Sequence, residues 1–225
     1  MTRVAADPVD IVLNPSPQVT GSTCQSYSMG LAMSFHSASP FKAETPTELR
    51  ELERRIRAAL TDSATANGRT QPIRDDWRVA MEKVSNGKLT AKWRSFRNLD
   101  SALRFAGDMT GITNPEGLGE ALSATLVKTP VMLSFNRIGS SNYLPQSHIV
   151  TVFGVQIPNA TMGENAHPKL LIVNSAVKYN NDVKNICANE DLSDTDKYRA
   201  TADLTNDYDI HRFGDTHLVT YVDSN

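Results

Sequence analysis

The chain has 225 residues, 40% hydrophobic and 21% charged, and its 23 Lys and Arg against 25 Asp and Glu leave a net charge of −2. At that length roughly 70% of the unfolded surface is buried on folding, enough for a core that needs no staples. The near-balance of charge excludes a general nucleic-acid binder, which needs a basic excess. Two cysteines, Cys24 and Cys187, exclude a disulfide framework and a thiolate zinc finger, and no apolar run approaches the ~20 residues of a membrane span.

The start, Met1 to Pro8, lacks the apolar stretch of a secretory signal. A cytoplasmic protein folding under reducing conditions is therefore expected, with signal-independent export as the alternative. Val9 to Leu13 reads as a short strand stopped by Asn14-Pro15-Ser16-Pro17. Ser22 and Gln25 have the form of a capping box opening a helix at Cys24, with Tyr27, Leu31, Ala32 and Phe35 at helical spacing. Thr45, Pro46 and Glu48 open a second helix whose stripe is Leu49, Leu52, Ile56 and Leu60, with the intervening Arg and Glu as its solvated face. Residues 61–72 are polar and turn-rich and contain Asn67-Gly68. A third helix is predicted over about 74–85, with Trp77, Ala80, Met81 and Val84 inward and Gly87 stopping it. A fourth covers about 99–109, and a fifth, about 115–127, carries Leu118, Leu122 and Leu126.

The pattern then changes to strands: Pro130 to Phe135, His148 to Ile157, Leu170 to Asn174 and His217 to Val222. Helices first and strands later predict an α+β fold with segregated lobes rather than an alternating α/β sheet. The early strand is expected to join the sheet. Residues 189–209 are acidic and read as a solvated loop without the spacing of a calcium site.

Cys24 opens a buried helix, where free N–H groups and the positive end of the macrodipole favour thiolate and predict a lowered pKa. Attack on an acyl carbon also needs a proton carrier, a group that orients it, and donors for the oxyanion. Gln18 lies six residues before Cys24 across a loop with Gly21, so its amide has the reach to join the Cys24 N–H. His148 begins one apolar strand and Asn174 ends another, positions from which an imidazole faces a cleft and an amide fixes the ring. The rivals are weaker. His217 also begins a strand, but no strand ending in Asn or Asp follows it. His36 is twelve residues along the same helix, about 18 Å at 1.5 Å per residue. His167 precedes Pro168 in a polar loop and reads as solvated, His211 and His217 are not at metal-site spacing, and Cys187 reads as an idle thiol. Gly87-Lys88-Leu89-Thr90 imitates the end of a phosphate loop but lacks the leading glycine. No metal or cofactor is implied.

Taken together, Gln18-Val-Thr-Gly-Ser-Thr-Cys24-Gln-Ser-Tyr-Ser, Ser147-His148-Ile-Val-Thr-Val-Phe-Gly154 and Leu171-Ile-Val-Asn174-Ser175 resemble the papain-like cysteine peptidases in order, spacing and context. The resemblance implies a single domain, 1–225. It places a helical lobe over about 18–127 and a sheet lobe over about 8–14 plus 128–225, with the active site in the cleft between. It implies Cys24 as nucleophile, His148 as acid and base, Asn174 as orienter and Gln18 in the oxyanion hole. Asn67-Gly68 resembles the family's glycine-bearing substrate loop, and Ser147 borders the same cleft. Glu116 to Phe135 resembles its helix leading into a Pro-Val strand. The chain departs from the family in having Gln25 where Trp usually follows the nucleophile, and Ala176-Val177 where Trp-Gly usually follows Asn-Ser.

The expected function is thus hydrolysis of a peptide or amide bond in a protein or peptide substrate. Acyl transfer, deamidation or isopeptide cleavage on the same residues, and a silent papain-like binding module, are the alternatives. A peptidase with no inhibitory pro-segment endangers its own cell, which implies a narrow substrate range, an inhibitor protein, or delivery as an effector or toxin. No nucleic-acid or membrane partner is expected.

Overall fold

A computed structural model of the chain describes residues 24–43, 45–111, 113, 129–136, 147–156, 169–173, 185, 188–193 and 217–225. These residues form four helices and a five-stranded antiparallel sheet, the α+β class that the order of helical and strand-like segments predicts.

Helix α1 (Cys24–Phe35) is buried on every side, with Ser26 through Ser34 all inside. A helix with no polar face belongs within the fold. Its small residues let neighbours approach closely. At Gly30 an added Cβ would already stand 3.5 Å from Ile56 and 3.6 Å from Leu49 and Leu52.

Those three residues lie on α2 (Pro46–Ala66), which opens with the predicted capping box: Glu48 N–H donates to Thr45 Oγ1, and Thr45 N–H to Glu48 Oε2. The predicted stripe of Leu49, Leu52, Ile56 and Leu60 is buried. Two expectations are corrected here. The helix continues through residues 61–66, which the polar composition assigns to a turn, and Glu53, assigned to the solvated face, is fully buried. The C-terminus of α2 closes with N–H groups of Gly68 and Arg69 donating to Thr65 O and Ala64 O, both at 2.9 Å, while Gly68 takes φ +68°. This is the two-bond cap that a left-handed residue makes possible.

Helix α3 (Arg74–Val84) buries Trp77, Ala80, Met81 and Val84, as its spacing predicts. It ends in a similar cap: Gly87 N–H reaches Glu82 O at 2.8 Å, with Asn86 and Gly87 both at positive φ. The chain passes directly into β1 (Leu89–Phe96), which the sequence reading assigned to no element. Its signal is the alternation of Leu89, Ala91 and Trp93 with Thr90 and Lys92 between them and Arg94 after. Helix α4 (Leu99–Thr110) follows, capped by Asn98 Oδ1 accepting from Ser101 N–H at 2.8 Å and ended at Gly111 with φ 70°.

The remaining strands fall where the apolar runs predict them: β2 (Val131–Asn136), β3 (Ser147–Gln156), β4 (Lys169–Val173) and β5 (His217–Ser224). The sheet order is β1-β5-β2-β3-β4, every pairing antiparallel. The sheet is covered on both faces. Met132, Ile149 and Val222 pack into one apolar cluster with α1, α2 and α3, whereas Val131, Leu133, Val150, Val152 and Val219 pack with Ala102, Leu103 and Ala106 of α4. The expected strand at 9–13, the expected helix at 115–127 and Ser22 of the expected capping box lie outside the described residues. Among the described residues, no helix is long and apolar enough to cross a membrane.

Candidate active site

Helix α1 lies along β3 and runs in the same direction. Cys24 and Ser28 meet Ile149 near the start of the strand. Phe35, at the other end of the helix, stacks edge-on against Phe153 with ring centroids 4.9 Å apart. Eleven helical steps span about 16 Å and four strand steps about 13 Å, so the two elements stay in step over their shared length.

The sulfur of Cys24 sits at the first residue of α1, partly buried. Burial raises the thiol's pKa, and the backbone amides of Ile149, Gln25 and Cys24 itself, directed at the sulfur, oppose that rise without cancelling it. The expected lowering is thereby corrected. Amides at a helix start do favour the anion, but removal from water costs the anion more.

Ile149 is the residue after His148, so the His148 Cα lies about 2.4 Å from the amide nitrogen that faces the sulfur. The register sets His148 opposite Phe135 and Ser147 opposite Asn136. The backbone of His148, the residue before Ile149 in β3, is therefore close to the first residue of α1. The side chains of Ser147 and His148 lie outside the described set, as do Gln18, Asn174 and Cys187. Strand β4 ends at Val173, opposite Thr151, one residue before Asn174. Among the described residues β4 pairs with β3 only from Thr151 onward, and at Ile149 it is α1 that engages the strand.

The structure does not join the other two candidates, Asn67 and Gly68, to Cys24 by any hydrogen bond among the described residues. Asn67 Nδ2 donates to Ser63 O at 2.8 Å, and Gly68 supplies the left-handed residue of the α2 cap. Beside them a shallow recess of about 450 Å³ is lined by Thr61, Thr65, Gly68, Arg69 and Pro72. Below the cap, Asp76 is 1% exposed and accepts from Arg69 Nη2 at 2.6 and 2.8 Å, from Ser63 Oγ at 2.6 Å and from Ile73 N–H at 2.8 Å. Burial alone would raise this carboxyl, but the bonds from Arg69, Ser63 and Ile73 outweigh it and hold the pKa at about 2. This arrangement anchors two helices.

His36 follows the end of α1, and its Nδ1 accepts from Ala38 N–H at 3.2 Å. Burial lowers its pKa, opposed by the nearby charge of Asp223, and the whole length of α1 separates it from Cys24. Two contributors to the site were missed in the sequence, Ser28 and Ile149. Ser28 was discoverable as the position one turn after Cys24, and Ile149 as the neighbour of His148.

Comparison of the chain with protein-family models, with curated proteins and with solved structures gives no significant match in any of the three.

Proposed function

We propose that the chain is a papain-like thiol hydrolase of peptide or amide bonds. In this reading the Cys24 thiolate attacks the carbonyl carbon, and the oxyanion is held by the Gln18 amide and the Cys24 N–H. The His148 imidazolium gives its proton to the leaving amine, forming a thioester. His148 then takes a proton from water as its oxygen attacks the thioester, and the acid departs as the Cys24 thiolate and His148 imidazolium are restored. Asn174 orients the ring. The observation that carries the reading is the contact of Ser28, one turn after Cys24, with the Ile149 carbonyl, which sets the nucleophile's helix against the start of β3, whose second residue is His148.

The raised thiol pKa gives the proposal a sharp requirement. A thiol whose neutral form is favoured by burial stays protonated at neutral pH, and an adjacent cation has to reverse that preference. The test is alkylation of Cys24 by iodoacetamide and by a peptidyl epoxide as a function of pH. The native chain reacts at neutral pH, much faster at Cys24 than at Cys187. His148→Ala reacts at Cys24 at least about tenfold more slowly there and recovers only in alkaline solution, since each unit of thiol pKa changes the thiolate fraction tenfold. Identical profiles for the native chain and His148→Ala overturn the assignment. Mass analysis of a peptide substrate then separates cleavage from deamidation or group transfer.

A further inference from the structure

Ser28 stands one helical turn after Cys24, and both approach the same strand residue. Its Oγ donates to the carbonyl oxygen of Ile149 at 3.4 Å, across 121 positions of sequence. The choice of partner is informative. A buried serine in a helix has a local acceptor ready, the carbonyl four residues back. Ser34 on the same helix takes that acceptor, donating to Gly30 O at 2.8 Å. Ser28, 1% exposed, reaches off the helix instead.

In an extended strand the N–H and C=O of one residue point to the same side, ordinarily to be paired by a neighbouring strand. At Ile149 the groups facing that side meet α1: the amide faces the Cys24 sulfur and the carbonyl accepts from Ser28. α1 therefore engages both backbone groups of Ile149 at the start of β3.

We propose that Ser28 is a positioning residue for the thiol chemistry. Its bond to the Ile149 carbonyl fixes the first turn of α1 against the start of β3, and so fixes Cys24 relative to His148. The inference rests on the thiol-hydrolase reading. The bond is long for O–H···O, so its contribution to global stability is small: Ser28→Ala keeps its melting temperature within about 4 °C of the native chain.

The experiment measures the pH profile of Cys24 alkylation in the full chain for the native protein, Ser28→Ala, Ser28→Thr, Ser28→Val and His148→Ala. Ser28→Ala is expected to lose about tenfold in alkylation rate at neutral pH, the change that one unit's rise in thiol pKa makes in the thiolate fraction. Its profile shifts upward toward that of His148→Ala. Ser28→Thr, which keeps the hydroxyl, retains most of the rate, and Ser28→Val, of the same shape without it, does not. That last pair decides the matter even if Ser28→Ala folds poorly, because the two share one volume. Equal rates for Ser28→Thr and Ser28→Val, with His148→Ala still shifted, overturn the positioning role and leave the hydrolase reading standing. An unshifted His148→Ala overturns both.

Discussion

Two polar junctions of this molecule, the α1–β3 seam at Cys24 and the α2–α3 corner at Asp76, are built on opposite principles. At the corner a buried carboxylate is satisfied by four hydrogen bonds from Arg69, Ser63 and Ile73, and burial is more than offset. At the seam a partly buried thiol faces three backbone amides, and burial is not offset. A fully satisfied group is inert and holds elements together. An incompletely satisfied one retains a preference that an incoming charge is able to reverse, which is the condition for reactivity. The comparison separates a junction satisfied within the fold from the one at which the proposed chemistry would act, although the family resemblance draws candidate residues from the neighbourhood of both.

The largest effect on folding is expected at the corner. Asp76→Asn removes the charge that Arg69 faces and puts a donor where three donors converge, which costs about 3 kcal/mol. The pH dependence follows the direction of the shift. The folded carboxyl titrates at about 2 and the unfolded one at about 3.9, so the unfolded chain takes up the proton first as the solution is acidified. The stabilisation of about 2.5 kcal/mol is fully present above about pH 4 and is lost as pH falls toward 2. Urea midpoints across that window decline in the native chain by this extra amount relative to Asp76→Asn. Parallel declines would show that Asp76 is not the linked group.

The corner also marks where the sequence was hard to read. The start of α2 was legible because Thr45 and Glu48 cap by local chemistry that needs no tertiary partner. Its last turn was not, because Thr61, Asp62, Ser63 and Thr65 are weak helix formers and Ser63 is held by Asp76, thirteen residues on. Glu53 was misassigned for a related reason: periodicity marks apolar faces and is silent on which charged side chains the fold encloses. Strand β1 is hard to read because, among the described residues, it lies at the edge of the sheet and its second half is largely exposed, so Lys92, Arg94 and Ser95 break the apolar run that marks the inner strands. At the seam, the position of Cys24 at a helix start and of His148 near a strand start was legible from local pattern. The direction of the thiol's shift was not, since it is set by the packing of α1 against β3.

Gly68→Ala is a smaller probe of the same corner. The residue takes φ +68°, and an added Cβ there meets nothing within 4 Å. Steric contact is thereby removed as a cause, and the whole cost is conformational, about 1 kcal/mol. Denaturant titration reads it directly. Gly68 also belongs to the loop that the family resemblance assigns to substrate binding. Ala at that position leaves Cys24 alkylation by iodoacetamide unchanged, whereas its effect on peptide hydrolysis reports whether this cap borders the cleft. A loss near zero in stability would mean that the left-handed geometry is not required.

The smallest expected effect on stability is the most informative for the comparison. Cys24→Ala deletes the sulfur that three amides face, yet a thiol is a weak hydrogen-bonding partner and a small apolar group. It lies at a helix start and is only partly buried, so few packing contacts go with it. The change in unfolding free energy at neutral pH should stay below about 1 kcal/mol, well under that of Asp76→Asn, while hydrolysis falls by at least about 10³-fold. A large destabilisation would place Cys24 with Asp76 among the structural anchors, and the distinction between the two junctions would fail. A small one, with activity abolished, means that the sulfur is retained at a site where folding has little use for it.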